Sequence, residues 1–238
     1  MSMTQSPSSS DIQAIFDRIA PVYDQLNDAL SFGQHRIWKR MAINWAQPEA
    51  GDTALDLCCG SGDLAFLLAK QVGKTGTVVG ADFSPQQLDI ARQRQQQQAV
   101  SVPMQWVEAD ALNLPFPDSQ FDCATMGYGL RNVTNISQCL QELYRVLKPG
   151  ASVSILDFHR PYLDWMQQFQ QWYLNTVVVP MAEQFGLKED YAYISPSVDR
   201  FPQGQEQIKL AQGVGFTKIK HYAIALELMG VLVMTKPA

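Results

Sequence analysis

Histidine and cysteine are scarce in this chain, with three of the first and four of the second in 238 residues. Cys58 and Cys59 are adjacent, Cys123 and Cys139 stand alone, and no Cys-x-x-Cys or His-rich spacing occurs. No metal is therefore expected, and the thiols should be reduced and mostly buried. Positive charge is scarce too. Eighteen Lys and Arg against 23 Asp and Glu give a formal charge of −5 with no basic stripe, which argues against nucleic acid as a partner. A run of about 18 apolar residues, long enough to span a membrane, is missing. The first residues lack the basic start and apolar core of a secretory signal, so a protein on the cytoplasmic side, not secreted, is expected.

What is present is enough apolar material for a full core, at 46% hydrophobic residues, in one α/β domain. Its most informative stretch runs from Ala54 to Asp63. An apolar run containing Asp56 breaks at Gly60-Ser61-Gly62, and a helical pattern follows at once (Leu64, Phe66, Leu67, Leu68). Glycines there allow a tight turn and a close approach of ligand to backbone. A second apolar run, Thr77 to Ala81, ends in Asp82 and Phe83, where an acid reaches the hydroxyls of a ribose. A third, Met104 to Glu108, leads to Asp110 and Ala111, placed to meet an adenine.

Gly60, Gly62 and Ala65 satisfy the dinucleotide fingerprint in its alanine form. However, Asp56 and Asp63 flank the turn, which suits a cationic sulfonium better than a pyrophosphate. The reading is S-adenosylmethionine, held by Asp56, Gly60, Ser61, Gly62, Asp82, Phe83, Asp110, Ala111 and Gly127. Each Asp taken singly could equally be a turn or a helix cap. A dehydrogenase has one supporter, Tyr144-x-x-x-Lys148, but Pro149-Gly150 stops that helix far from the strands' carboxyl ends. Tyr144 is expected in the core, with Arg145 and Lys148 facing solvent.

Residues 1–10 read as a disordered polar tail and 11–238 as one domain. Within that domain a helical lid spans 11–50 and a helical, aromatic insert spans 160–200. Strands are expected at 53–59, 77–83, 104–110, 121–127, 151–158, 216–225 and 227–236, with helices near 63–71, 85–98, 135–147 and 203–213. The fold class is α/β, a doubly wound, mostly parallel seven-stranded sheet with an antiparallel last strand. This is the class I S-adenosylmethionine-dependent methyltransferase arrangement.

Two segments carry a family resemblance. Asp17 to Asn27 with Ser31 to Lys39, and Gly129-Leu-Arg-Asn-Val-Thr134 after the fourth strand, resemble the two signatures of the UbiE/MenG quinone C-methyltransferases. The likeness continues through Tyr193 to Ser197 and Phe201-Pro202, so it covers nearly the whole chain. The ending, Glu227 to Lys236, is more similar to the cyanobacterial and plastid branch, which methylates demethylphylloquinone. The resemblance implies C-methylation of a prenylated or phytylated naphthoquinol and transient contact with a membrane, thylakoid in type. It leaves open a demethylmenaquinol or benzoquinol substrate, a small-molecule N- or O-methyltransferase, and a homodimer. A cofactor-sensing module would not need the second signature, and a structural subunit would not need the glycine turn.

Within the signature, Arg131 is the candidate catalytic cation, stabilising a phenolate as it forms, and Asn132 would orient the quinol or a water. A structural ion pair is the plainer role for Arg131. The resemblance puts Tyr23 over the cofactor, with helix capping as its alternative. His35, His159 and Tyr162 are candidate substrate residues, although a lone histidine is more often structural.

Overall fold

The computed structural model describes residues 9–98 and 100–238, with the backbone alone at Ser9, Tyr23 and Asp24. The tail expected at 1–10 lies outside the described residues as far as Met1 to Ser8. In chain order the elements are α1 (Ser9–Ile19), α2 (Tyr23–Ser31), α3 (His35–Ala46), β1 (Thr53–Leu57), α4 (Asp63–Val72), β2 (Thr77–Asp82), α5 (Pro85–Gln98), β3 (Met104–Glu108) and β4 (Phe121–Gly127). There follow α6 (Ile136–Val146), β5 (Leu147–Phe158), α7 (Asp164–Tyr173), α8 (Val179–Glu183), α9 (Lys188–Ala192), α10 (Ile194–Arg200), α11 (Gly204–Val214), β6 (Thr217–Ile224) and β7 (Met229–Thr235).

β3, at the sheet's edge, leaves Gln105 and Glu108 exposed, whereas β1, β2 and β4 read as nearly unbroken apolar runs because the inner strands of a parallel sheet are covered on both faces. The pleat sorts their side chains. Leu55, Leu57, Val79, Ala81, Ala124 and Met126 belong to the core under α6 and α11, while Ala54, Val78 and Cys123 belong to the core under α4. Truncating a fully buried residue such as Leu55 to Ala should cost about 2–5 kcal/mol. The sheet has seven strands in the order β3-β2-β1-β4-β5-β7-β6. Strands β1 to β5 pair in parallel, and β7 runs antiparallel between β5 and β6. The strand order reverses between β1 and β4, so the crevice for a ligand opens there, at the carboxyl ends.

A third apolar cluster stands apart from the sheet. Ile19 and Leu26 from α1 and α2 pack with Leu174, Val178, Ala182, Leu187 and Tyr191 from the insert. The N-terminal helices and the insert, far apart in sequence, thus form one helical cap.

Several boundaries moved. α1 begins at Ser9, so it takes in the last two residues of the tail expected at 1–10. Cys58 and Cys59 belong to the turn after β1, not to the strand. Arg145 does not face solvent freely: it binds Glu142, Asp118 and the carbonyls of Leu114 and Phe116. Lys148 pairs with Asp122 at 2.7 Å and Tyr144 packs edge-on against Phe216, so neither is near the crevice.

Candidate active site

Two cavities meet at the carboxyl ends of β1 and β4. The first, about 620 Å³, is lined from the sheet side by Asp56, Cys58, Gly60, Ser61, Asp82, Phe83, Asp110, Ala111, Gly127 and Asn132. Ser10, Ile12, Gln13 and Phe16 of α1 line it from above, where the Gln13 amide donates to the Phe83 carbonyl at 2.6 Å.

Asp56 is fully buried, and burial raises its pKa to about 7. Its Oδ1 accepts from the Thr125 hydroxyl at 3.0 Å, whereas Oδ2 has no hydrogen-bond partner among the described residues. A buried carboxylate oxygen left without a donor in a cavity wall fits a cationic or N–H-bearing ligand. Asp82 is also raised by burial, to about 6, and it accepts from the Gly60 amide at 2.8 Å and the Ser84 amide at 2.9 Å. It therefore holds the glycine turn while facing the cavity. Asp110 is exposed and accepts from the Leu112 amide at 2.9 Å.

Two expectations about this wall change. Gly62 does not line the cavity. Its φ of 92° and the indole of Trp106, 2.7 Å from where a Cβ would stand, make it a packing glycine. Asp63 lines the cavity, but its charge is taken up by two cations. Burial works against ionisation, but Lys39 at 2.6 Å and Arg94 at 2.7 Å lower its pKa to about 2. Arg94 also donates to the Ser61 carbonyl and hydroxyl, so this trio clamps the turn. Tyr23 starts α2, but its side chain lies outside the described residues.

The second cavity, about 360 Å³, lies between sheet and cap. It is apolar, lined by Phe16, Ile19, Leu30, Trp38, Phe158, Phe169, Tyr173, Leu174, Val178, Ile194 and Met229, with His35 and Arg131 among its few polar residues. His35 is buried between the Ser31 hydroxyl, 3.1 Å from Nδ1, and Asp28, 3.4 Å from Nε2. Burial and the neighbouring Lys39 lower its pKa, which keeps the ring neutral.

Tyr128 borders both cavities. It follows β4 with φ at 62°, a left-handed conformation rare for an aromatic residue and found where function over-determines the backbone. The next turn, Leu130–Asn132, sends its two polar side chains opposite ways. Asn132 lines the first cavity, its amide donating to the Tyr128 carbonyl at 3.0 Å while its Oδ1 accepts from no described residue. Arg131 lines the second. Its guanidinium binds Asp157 at 2.7 Å and the Tyr128 carbonyl at 2.7 Å, and lies 4.9 Å from the Phe158 ring centre. Asp157 also accepts from the Arg131 amide at 3.0 Å. Arg131 is thus ion-paired and placed on the cavity wall at the same time.

His159 and Tyr162 are not brought to either cavity. His159 is fully buried, its ring centre 5.1 Å from His221 and 5.6 Å from Tyr162, behind the cavity wall. Burial lowers the pKa of both histidines, that of His221 to about 4, so both stay neutral. Tyr162 is half exposed and accepts from the Gln205 amide at 3.0 Å. Burial also pushes the thiols of Cys58 and Cys59 well up, which removes them as nucleophiles. Among the described residues no cluster could hold a metal ion.

A profile described as the ubiE/COQ5 methyltransferase family matches residues 3–236. The chain belongs to the ubiE/COQ5 methyltransferase family. It is 63% identical over 225 residues to a protein of Nostoc sp. named 2-phytyl-1,4-naphtoquinone methyltransferase, covering 94% of this chain and 98% of that one. A chloroplastic protein of Arabidopsis thaliana, named 2-phytyl-1,4-beta-naphthoquinone methyltransferase, is 50% identical, with 94% and 87% covered. Among solved structures, a methyltransferase of Thermotoga maritima described as a possible histamine N-methyltransferase superposes with a TM-score of 0.66 at 20% identity, covering 94% of this chain and 99% of that one. At that identity the likeness shows the fold alone. As a member of this family the chain is a methyltransferase, and its cavities are read below as donor and acceptor sites.

Proposed function

We propose that the chain transfers a methyl group from S-adenosylmethionine to a ring carbon of a reduced naphthoquinone with a long isoprenoid tail, demethylphylloquinol to phylloquinol. One observation carries the division of labour: a cavity built on strand-end acids and a more apolar cavity beside Arg131 share Tyr128 as a wall. The substrate class is supported by the names of relatives 50–63% identical over nearly their full length.

S-adenosylmethionine, when bound, would supply an electrophilic methyl group on a sulfonium and leave as the thioether, while the ring hydrogen that the methyl group replaces would depart as a proton to water. The Asp82 carboxylate would hold its ribose, the unpartnered oxygen of Asp56 would face its cationic amino-acid end, and Asp110 would meet the adenine. The chain's remaining work is done on the acceptor. A quinol phenol has a pKa of roughly 10 by analogy with tyrosine. Arg131 stabilises the phenolate electrostatically as the proton leaves, and the apolar walls around it strengthen that field. Asp157 fixes the guanidinium in place, so its role is positioning. A guanidinium cannot itself accept the proton, which passes to water; Asn132, whose Oδ1 accepts from no described residue, orients the hydroxyl or that water. Phe16, Phe158 and Trp38 flank the flat ring and exclude water.

The oxidised quinone has two electron-withdrawing carbonyls and no phenolic oxygen to activate its ring carbon. Labelled S-adenosylmethionine, given with a panel of demethyl-naphthoquinols and benzoquinols, tests the assignment. Label should enter the naphthoquinols after reduction by dithionite or borohydride. Full-rate methylation of a naphthoquinone kept strictly oxidised would overturn the mechanism, and preference for a benzoquinol would move the substrate.

A further inference from the structure

The mouth of the acceptor cavity is ringed by side chains that water should disfavour. Phe32, Phe169 and Leu226 border it and are 81, 45 and 83% exposed. The apolar surface continues along α7. Trp165, Phe169 and Trp172 fall at i, i+4 and i+7, one helix face, and the rings of Phe169 and Trp172 are 5.9 Å apart. Both tryptophans are more than half exposed.

Two of these side chains sit on left-handed backbone, Phe32 as the C-cap of α2 and Leu226 in the β6–β7 turn. Phe32 has φ at 50°, and Leu226 has φ at 55° between Ala225 at 53° and Glu227 at 63°. Left-handed backbone at large non-glycine residues is uncommon and gathers where function requires it. Charge around the mouth is low. Segments 28–37, 160–173 and 224–229 carry Arg36 and Arg160 against Asp28, Asp164 and Glu227, and Arg36 is bound to Asp28. A surface made for anionic lipid would carry a basic cluster. This one carries indoles and phenyl rings, the side chains that favour the headgroup boundary of a bilayer.

We propose that this face docks on the uncharged surface of a bilayer. Phe32, Trp165, Phe169, Trp172 and Leu226 enter the headgroup region, and the isoprenoid tail passes from lipid into the acceptor cavity without crossing water. The passage of the tail rests on the naphthoquinol reading above; the docking does not. A second copy of the chain is the less fitting occupant, because a symmetric pair closed over this face would seal both cavity mouths against substrate.

Flotation of the full chain with phosphatidylcholine vesicles tests this. Wild type should rise with the vesicles at both low and high salt. Trp165→Ser/Trp172→Ser, at positions that line neither cavity, should lose at least about tenfold in vesicle binding. Its melting temperature and its methylation of a short-tailed naphthoquinol in solution should be unchanged. Docking is refuted if wild type stays behind, if the double variant floats equally well, or if binding needs anionic lipid and is released by salt. A wild-type dimer that the double variant splits would assign the face to a second copy instead. Flotation needs no turnover, so failure of the docking and failure of the methylation reading are separately visible.

Discussion

Around the glycine turn, almost every polar group is fixed by the backbone or by a neighbour close at hand. Asp82 takes the Gly60 and Ser84 amides, Arg94 takes Ser61, and Lys39 with Arg94 takes Asp63. Across Tyr128 the acceptor cavity is made differently, from aromatic and aliphatic side chains on α1, α3, α7, the end of β5 and the β6–β7 turn. Only a few polar residues enter it, Arg131 chief among them. The first region presents fixed charges and dipoles to a small polar molecule. The second presents shape and low dielectric to a greasy one, where the charge of Arg131, held by Asp157, acts over short range on a forming phenolate. Substitutions in the two regions should therefore fail in different ways: in affinity for the donor on one side, and in rate or acceptor affinity on the other.

The largest effect is expected at Arg131. Replacing it with methionine should slow methylation by about 10²-fold or more, as loss of a charge-stabilising group does. Affinity for S-adenosylmethionine, measured by calorimetry, should barely move. The same change leaves Asp157 buried without its partner, so stability should also fall. Asp157→Asn separates the two effects. It keeps the fold's hydrogen bonds in part but releases the guanidinium, and it should shift the pH–rate profile toward higher pH. A loss of stability with an unchanged profile would show Arg131 to be structural.

Next comes Asp82→Ala. It should weaken S-adenosylmethionine binding by about 1–3 kcal/mol, the cost of leaving ribose hydroxyls unpaired. Unchanged affinity in a calorimetric titration would contradict the donor assignment.

The pH dependence should be smaller and of definite sign. Asp56 and Asp82 titrate near 7 and 6 in the folded chain, against about 3.9 when unfolded. The folded chain without cofactor therefore binds the extra protons, and its stability should decline as pH rises from about 4 to 7. A cationic ligand favours the ionised carboxylates. Its affinity should therefore fall as pH drops below 7, by up to about tenfold per unit for one linked proton. Titrations in buffers of different ionisation enthalpy should show proton release on binding, and Asp56→Asn should abolish most of it. A flat affinity between pH 5 and pH 8 would count against Asp56 as a ligand.

The smallest effect belongs to the cap. Phe169→Ala should raise the KM for a long-tailed quinol several-fold while kcat and donor affinity stay near wild type. That is the signature of lost uniform binding. An equal change with a tailless acceptor would place Phe169 against the ring and not the tail.

The same contrast explains what could be read from the residues alone. That Asp56, Gly60, Ser61 and Asp82 would line one cavity was legible because strand, turn, helix and strand follow one another locally and each residue's place is set by its neighbours in sequence. The seven strands, with β7 antiparallel, were legible for the same reason. Lys39, Tyr128 and Asp157 were not. Lys39 reaches Asp63 only once α3 packs on α4, and Asp157 is marked in the sequence merely as one more acid in an apolar strand. His159 misled because a strand end gives the edge of the sheet but not the direction of the side chain. Phe158 faces the acceptor cavity, and the next residue turns away to lie against His221. Gly62 misled because the fingerprint spacing does not say which glycine meets the ligand and which meets Trp106. The acceptor cavity itself joins residues up to about 200 positions apart, and helical patterning says only that each piece is amphipathic.

The division into a donor side and an acceptor side is tested most directly by single-turnover methylation of a reduced naphthoquinol at saturating S-adenosylmethionine, with Asp82→Ala and Arg131→Met run together. Saturation should bring Asp82→Ala back to within about threefold of the wild-type rate, since its defect is in binding, and leave Arg131→Met about 10²-fold slow. Rescue of Arg131→Met by cofactor, with Asp82→Ala remaining slow, would contradict the account.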